Sequence, residues 1–142
     1  MKVSAKTEYA CMAMLELAAS YDSGQPMRIR DIAQRHQIPS RFLVQILLQL
    51  KGSGLVASTR GAAGGYRLVD PPHQVTLGQV MRVIEGQEGP LTSNSPDGSP
   101  TVAVLGDVWR EIAETRQNIL VSVTLADLVE RAKVSSDNMY YI

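Results

Sequence analysis

Leu43, Ile46, Leu47 and Leu50 fall at i, i+3, i+4 and i+7, a spacing that lines one face of a helix with apolar side chains. The opposite face carries Arg41, Val44, Gln45, Leu48 and Gln49. Ser40 after Pro39 supplies the start, because a serine hydroxyl accepts from a first-turn N–H and proline disfavours helical backbone at Ile38. Gly52 and Gly54 supply the stop, where a residue at positive φ costs little only if it is glycine. Upstream, Ile29, Ile32, Ala33 and Arg35–His36 predict a shorter helix, joined to the first through the turn Gln37–Ile38–Pro39. Another helix is expected from Ser4, its cap, to about Ser20. It buries Tyr9, Ala10, Met14, Leu17 and Ala18 and partly covers Cys11 and Met12.

Beyond Gly54 the pattern changes. Leu55–Ser58 and Tyr66–Val69 are short enough to pair as a hairpin with Thr59–Gly65 as its tip. Pro71–Pro72 marks a boundary, and Thr76 with Gln79 forms a capping box for a helix that runs to about Ile84 and stops at Gly86. Residues 87–100 hold Pro90, Pro96 and Pro100 without a clear period, so a flexible loop is expected. Ser99–Pro100 opens the longest helix, with proline at its first position. Along it Val102, Leu105, Trp109, Ile112, Arg116, Ile119 and Val123 alternate by three and four, a coiled-coil-like seam broken by one charge. Roughly 24 residues at 1.5 Å each make about 36 Å. A helix that long needs a partner, and its twin in a homodimer is the expected one. An intramolecular core is the alternative, but few other elements exist to cover the stripe. Gly106 permits close approach, and Arg116 acts as a specificity device or an inter-subunit ion pair. Thr124 with Asp127 caps a final short helix through about Arg131, leaving the tail unassigned. The fold class is mainly α with a small two-stranded β-wing: residues 1–70 form a winged helix-turn-helix, and residues 71–142 a helical dimerisation region.

At 142 residues and 44% hydrophobic content, one or two small domains with a real core are expected. No run of 18 or more apolar residues and no signal peptide is present, so a soluble, cytoplasmic protein without membrane contact is expected. One cysteine excludes an internal disulfide framework. Zero net charge by itself argues against a polyanionic partner, but the distribution of charge points the other way. Residues 1–70 hold nine Lys/Arg against five Asp/Glu, hence +4, and residues 71–142 hold five against nine, hence −4. The first part suits a polyanion, and a dimer doubles its positive footprint.

Two short helices joined by a tight turn make a helix-turn-helix, whose second helix offers its N-terminal residues to base edges. Here those are Ser40, Arg41, Val44 and Gln45. Arginine and glutamine can read guanine and adenine through bidentate hydrogen bonds, although either alone reads equally as a solvated helix residue. In the hairpin, Arg60 and Arg67 place positive charge beside Gly61, Gly64 and Gly65, with Tyr66 opening the returning strand. Without Cβ atoms these glycines let backbone approach a phosphate or a groove wall. A nucleotide-binding loop is the competing reading, and it lacks both the Lys–Ser/Thr ending and the following helix. Lys2 and Lys6 at the start of the first helix are candidate phosphate contacts, or else ordinary surface lysines. Arg28 and Arg30 flank the second helix, where a cation opposes the helix dipole and a phosphate would offset that cost. His36 reads as a helix-end residue, and His73 stands alone. Cys11 reads as a small core residue ahead of a redox sensor. No metal-ligand cluster and no acid–base pair with a nucleophile is evident, so no enzyme, metal or cofactor is expected. An interaction module that docks a protein instead of DNA is the alternative.

The segments MKVSAKTEYACMAMLELA, IRDIAQRHQIPSRFLVQILLQLKGSGLV, RGAAGGYRL and VTLGQVMRVIEG, with VWREI and TLADLV near the C-terminus, resemble the Rrf2 family of bacterial winged-helix regulators. The wing RGAAGGYRL after GLV is the most specific of these. The resemblance spans nearly the whole chain apart from about residues 87–104, and it implies a dimeric, DNA-binding transcription regulator. It also implies a contrast, because iron–sulfur members carry three closely spaced cysteines between the fourth and the long helix. Here Gly86–Pro100 contains neither cysteine nor histidine. A cluster needs thiolate ligands, some replaceable by histidine. The expectation is therefore a cluster-free homodimeric repressor or regulator on a pseudo-palindromic operator of double-stranded DNA. Its signal is expected from an effector protein or a small-molecule ligand near the 87–100 loop, ahead of chemistry at Cys11.

Overall fold

Ser4 sits in extended backbone and its hydroxyl accepts the Thr7 amide at 3.2 Å, so helix α1 (Ala5–Ala19) begins where a capping serine predicts. The computed structural model describes residues 2–86 and 98–140. A 3₁₀ turn at Tyr21–Ser23 follows α1, and then come α2 (Ile29–His36) and α3 (Ser40–Gly52). Strands β1 (Val56–Thr59) and β2 (Gly65–Leu68) pair antiparallel, with Val56 opposite Leu68 and Thr59 opposite Gly65. A second 3₁₀ turn (Pro72–Gln74) leads to α4 (Leu77–Glu85), α5 (Pro100–Ser122) and α6 (Leu125–Tyr140). The capping box of α4 is complete: Thr76 accepts from the Gln79 amide at 3.2 Å, and the Gln79 side chain accepts from the Thr76 amide at 2.8 Å. The loop expected over 87–100 lies outside the described residues as far as 97.

The apolar stripe of α3 forms the centre of the core, with Leu43, Ile46, Leu47 and Leu50 fully buried. Against it pack Ala10, Ala13, Met14 and Leu17 of α1, Ile32 of α2, Val80 of α4 and Leu125 of α6. Each large aliphatic side chain so buried contributes about 1.5–3 kcal/mol. The single cluster draws residues from both sides of Pro71–Pro72. Two backbone bonds hold the later helices to it: the Leu77 amide donates to Val123, and the Leu125 amide donates to Val75, each at 2.9 Å.

Several local expectations are corrected. Ser40 is the first helical residue, not the cap. Pro39 takes the cap position, and its carbonyl accepts the Phe42 and Leu43 amides at 3.0 and 3.1 Å. Gly52 still belongs to α3, and Gly54 alone adopts the left-handed conformation, at φ +84°. Tyr9 is only half-buried, while Ala13 is fully buried. Both strands are displaced by one residue from their expected limits: β1 begins at Val56 and β2 ends at Leu68. The final helix extends to Tyr140 instead of stopping near Arg131. Its polar second half contains neither glycine nor proline to end it, and its first half is anchored by Leu125 and Val129 in the core.

The seam expected along α5 divides in two. Val102, Trp109 and Arg116 are half-buried, as are Gly106, Ala113 and Leu120 between them. Leu105, Ile112 and Ile119 are exposed, together with Val104 and Val108. At 3.6 residues per turn the two rows stand about 60° apart. Val123 lies just past the helix, as its C-cap. No residue of α5 is fully buried within the chain.

Candidate nucleic-acid interface

Gln37 closes the turn between α2 and α3 in the left-handed conformation, at φ 53° and ψ 41°. Glutamine there carries a steric cost that glycine would not. The turn is held by Ile38, which is buried and whose amide donates to the Ala33 carbonyl at 3.0 Å. From the other side, Glu16 of α1 clasps the end of α2. Its two carboxylate oxygens meet Arg35 at 3.0 Å and His36 at 2.7 Å. His36 is thus engaged with Glu16, beyond being a helix-end residue.

On α3 the strip Arg41, Val44, Gln45 and Leu48 lies opposite the core stripe, and all four are exposed, as is Ser40 ahead of them. The Arg41 guanidinium carbon lies 5.0 Å from the centre of the Phe42 ring. Phe42 in turn meets Tyr9 of α1, with ring centres 6.5 Å apart and planes tilted by 35°. This contact brings the first half of α1 beside the start of α3. Lys2 is exposed and Lys6 half-buried at that end of α1. There the Thr7 hydroxyl, fully buried, donates to Glu85 at the end of α4 at 2.7 Å.

Met27 adds a third, one-residue strand to the hairpin. It exchanges both backbone hydrogen bonds with Tyr66, at 2.8 and 2.7 Å. This pairing explains one of the glycines, and the hairpin tip itself explains another. A Cβ on Gly65, whose φ is +150°, would overlap the Met27 carbonyl, and one on Gly64 would overlap the Thr59 carbonyl. Gly64 is buried and Gly65 half-buried, so both serve the wing's own fold before any ligand approaches. Gly61, at φ +102° with open space around it, is the exposed glycine of the tip. Arg28 and Ile29, at the start of α2, line one open cleft with Thr59, Arg60, Gly61, Gly65 and Tyr66. Met27 sets that arrangement, because its pairing with Tyr66 fixes the start of α2 against the wing.

The structure therefore gathers Arg28, Arg60 and the tip glycines in one cleft, and Ser40, Arg41, Val44 and Gln45 on one helix. Arg30 is exposed in the first turn of α2, outside the lining of that cleft. Arg67 is exposed and stands outside that cleft, lining a different depression with Tyr21, Asp22 and Gln25. Tyr66 is half-buried against the core, with its backbone groups taken by Met27. Phe42, Met27 and Glu16 are not singled out by sequence pattern. Phe42 carries the only available signal, an aromatic residue off the core stripe.

A family model described as "Rrf2: Iron-dependent Transcriptional regulator" matches residues 3–131. The chain is 34% identical to the HTH-type transcriptional regulator CymR of Bacillus subtilis, over the full length of both. The structure of CymR, the global cysteine regulator of B. subtilis, superposes with a TM-score of 0.83, covering 92% of this chain and 98% of that one. The structure of T. potens IscR superposes at 0.76 with 35% identity, covering 93% and 88%. The two-stranded wing and the helices of this chain thus form the winged-helix fold of those neighbours. The iron named in the family's description finds no matching donor set for a cluster here. The sequence holds one cysteine and two histidines, and His36 and His73 stand on separate elements. Cys11 is half-buried in α1, and burial, aided by Glu85 and Glu8, pushes its thiol up to about 11, away from the thiolate a cluster needs. Among the described residues no three His, Cys, Asp or Glu side chains converge as a metal site, and residues 87–97 contain neither cysteine nor histidine. By the span of the family match and the identity to its relatives, the chain belongs to the Rrf2 family of transcriptional regulators.

Proposed function

We propose that the protein is a homodimeric, cluster-free repressor that grips a pseudo-palindromic operator with one recognition helix and one wing per protomer. The observation that carries this reading is the joint presentation of two surfaces. One is the exposed strip of α3, and the other is the cleft in which Arg28 and Arg60 flank the bare backbone of Gly61. Ser40, Arg41, Val44 and Gln45 meet base edges in the major groove. Arg60 and the tip follow the neighbouring minor groove or backbone, and Lys2, Lys6, Arg28 and Arg30 hold phosphates.

Homodimerisation is supported by α5, a helix of 23 residues with no fully buried side chain and two apolar rows. A coiled-coil-like crossing with its twin would cover Leu105, Ile112 and Ile119, alongside the half-covered Val102, Trp109, Arg116 and Val123. In a rigid dimer the half-sites lie about 34 Å apart, or a small multiple of that. The protein works in the cytoplasm, where the genome is, and no helix among the described residues is long and apolar enough to cross a membrane. Its signal is an effector protein or a small molecule.

Genomic DNA captured on the purified protein and sequenced tests the reading. The expected result is a small set of promoter fragments sharing an inverted repeat, bound by two protomers in sedimentation. Recovery of fragments without a common motif would contradict it.

A further inference from the structure

The outward strip of α3 is more apolar than a solvated helix face requires. Val44 is 40% exposed and Leu48 is 54% exposed, one turn apart on the same row and about 110° and 150° around the helix from the middle of the core stripe. Neither side chain belongs to the buried core cluster. Two polar residues able to reach a base edge accompany this pair, Arg41 before it and Gln45 within it. The surroundings are cationic, with Arg41 on the same row and Arg28, Arg30 and Arg60 on the neighbouring elements. A partner protein offering an apolar groove would have to tolerate those arginines. The major groove of DNA offers both things at once: phosphate charge at its rims and, on its floor, one apolar group, the C5-methyl of thymine.

We infer that Val44 and Leu48 read thymine methyl groups in the operator, so that part of its sequence is specified by hydrophobic contact. This rests on the DNA-binding reading above. With 1.5 Å of rise per residue the two side chains stand about 6 Å apart along the helix. That spans about two base steps, so each side chain meets a methyl of its own. Arg41 and Gln45 supply hydrogen bonds to the flanking bases, and the apolar pair excludes water between them. Cytosine at either thymine position is rejected because it offers no methyl and leaves its amino group facing an aliphatic side chain.

The test uses the full-length protein and the duplex it selects from a random library. Deoxyuridine, which pairs as thymine does but lacks the methyl, replaces each thymine of one half-site in turn. At two positions the affinity of the wild-type protein should fall roughly fourfold each, the worth of one buried methylene-sized group. Val44→Ala should abolish the loss at one of these positions, and Leu48→Ala at the other. Both variants alter exposed side chains, and unchanged thermal unfolding would show them folded. If every deoxyuridine duplex binds as tightly as its parent, the inference is wrong while the DNA-binding reading stands. If uracil sensitivity survives unchanged in both alanine variants, other residues read the methyls and the inference is equally overturned. Failure to select any duplex would remove the underlying reading itself.

Discussion

Arg41 lies over the ring of Phe42, its guanidinium carbon 5.0 Å from the ring centre, and that ring leans in turn on Tyr9 of α1. The stack ties the first cation of α3 to a neighbouring helix. It narrows the rotamers of an exposed side chain before any ligand arrives, which lowers the ordering cost of binding. A partly exposed cation–π contact is worth about 0.5–1 kcal/mol.

Phe42→Ala should therefore lower stability by about 1–3 kcal/mol, through lost ring burial and the contact with Tyr9, and weaken operator binding severalfold, through a freed Arg41. Arg41→Lys should weaken binding too, because lysine lacks the planar fork that both stacks and pairs in a bidentate manner. Anisotropy titrations alongside thermal melts separate the two effects. An undiminished affinity in Phe42→Ala would show that the stack does not position Arg41.

The wing glycines should separate by role. Gly64→Ala and Gly65→Ala drive a Cβ into the Thr59 and Met27 carbonyls, so each should cost on the order of 3 kcal/mol, and Gly65→Ala should also release the start of α2. Gly61→Ala meets open space and pays only for its φ of +102°, about 1–2 kcal/mol. Chemical denaturation of the three variants should rank Gly61→Ala as the mildest. Equal losses in all three would contradict the packing role of Gly64 and Gly65.

Much of this fold is legible in the sequence because its signals are local. Ser4, Thr76 with Gln79, and Thr124 with Asp127 each cap a helix as their spacing predicts. The core stripe of α3 is buried residue for residue. What the sequence conceals depends on tertiary contact. Gly65 looks like a ligand-facing glycine until Met27, some 40 residues earlier, is seen pairing with Tyr66, and Gly64 does until the Thr59 carbonyl is seen beside it. Arg67 resembles a partner of Arg60, but it lines a separate depression beside Tyr21 and Asp22. The α5 seam reads as one stripe because a repeat of three and four does not tell which row its own chain half covers.

The exposed row of α5 makes a direct prediction. Ile112→Asp places a charge among Leu105, Val108 and Ile119 on a surface already exposed in the single chain. The protomer fold should persist while the sedimentation equilibrium shifts to monomer, and operator affinity should fall at least tenfold as avidity is lost. A dimer of unchanged stability would place the interface elsewhere.

Cys11 offers a pH-dependent check. Its thiol is raised from an ordinary value of 9.0 to about 11, first by burial and then by Glu85 and Glu8. The folded state thus favours the neutral thiol. Stability from this source is fully present below pH 9 and is lost as pH rises toward 11. The difference in unfolding free energy between wild type and Cys11→Ala should shrink by on the order of 2 kcal/mol across that window. At pH 8 iodoacetamide should alkylate the folded protein far more slowly than the unfolded chain. Labelling at the unfolded rate would contradict the burial of a neutral thiol.

The most direct test of DNA binding by helix and wing together is the salt dependence of affinity for the selected duplex, measured for the wild type and for Arg60→Ala. Each phosphate neutralised contributes about 0.9 to the slope of log K against log salt. The wild type should show a steep negative slope. Arg60→Ala should bind more weakly by about 1–3 kcal/mol, with a slope shallower by about two, one for each protomer's wing. An affinity indifferent to salt, or an unchanged slope when Arg60 is removed from both protomers, would contradict a helix and wing that grip DNA together.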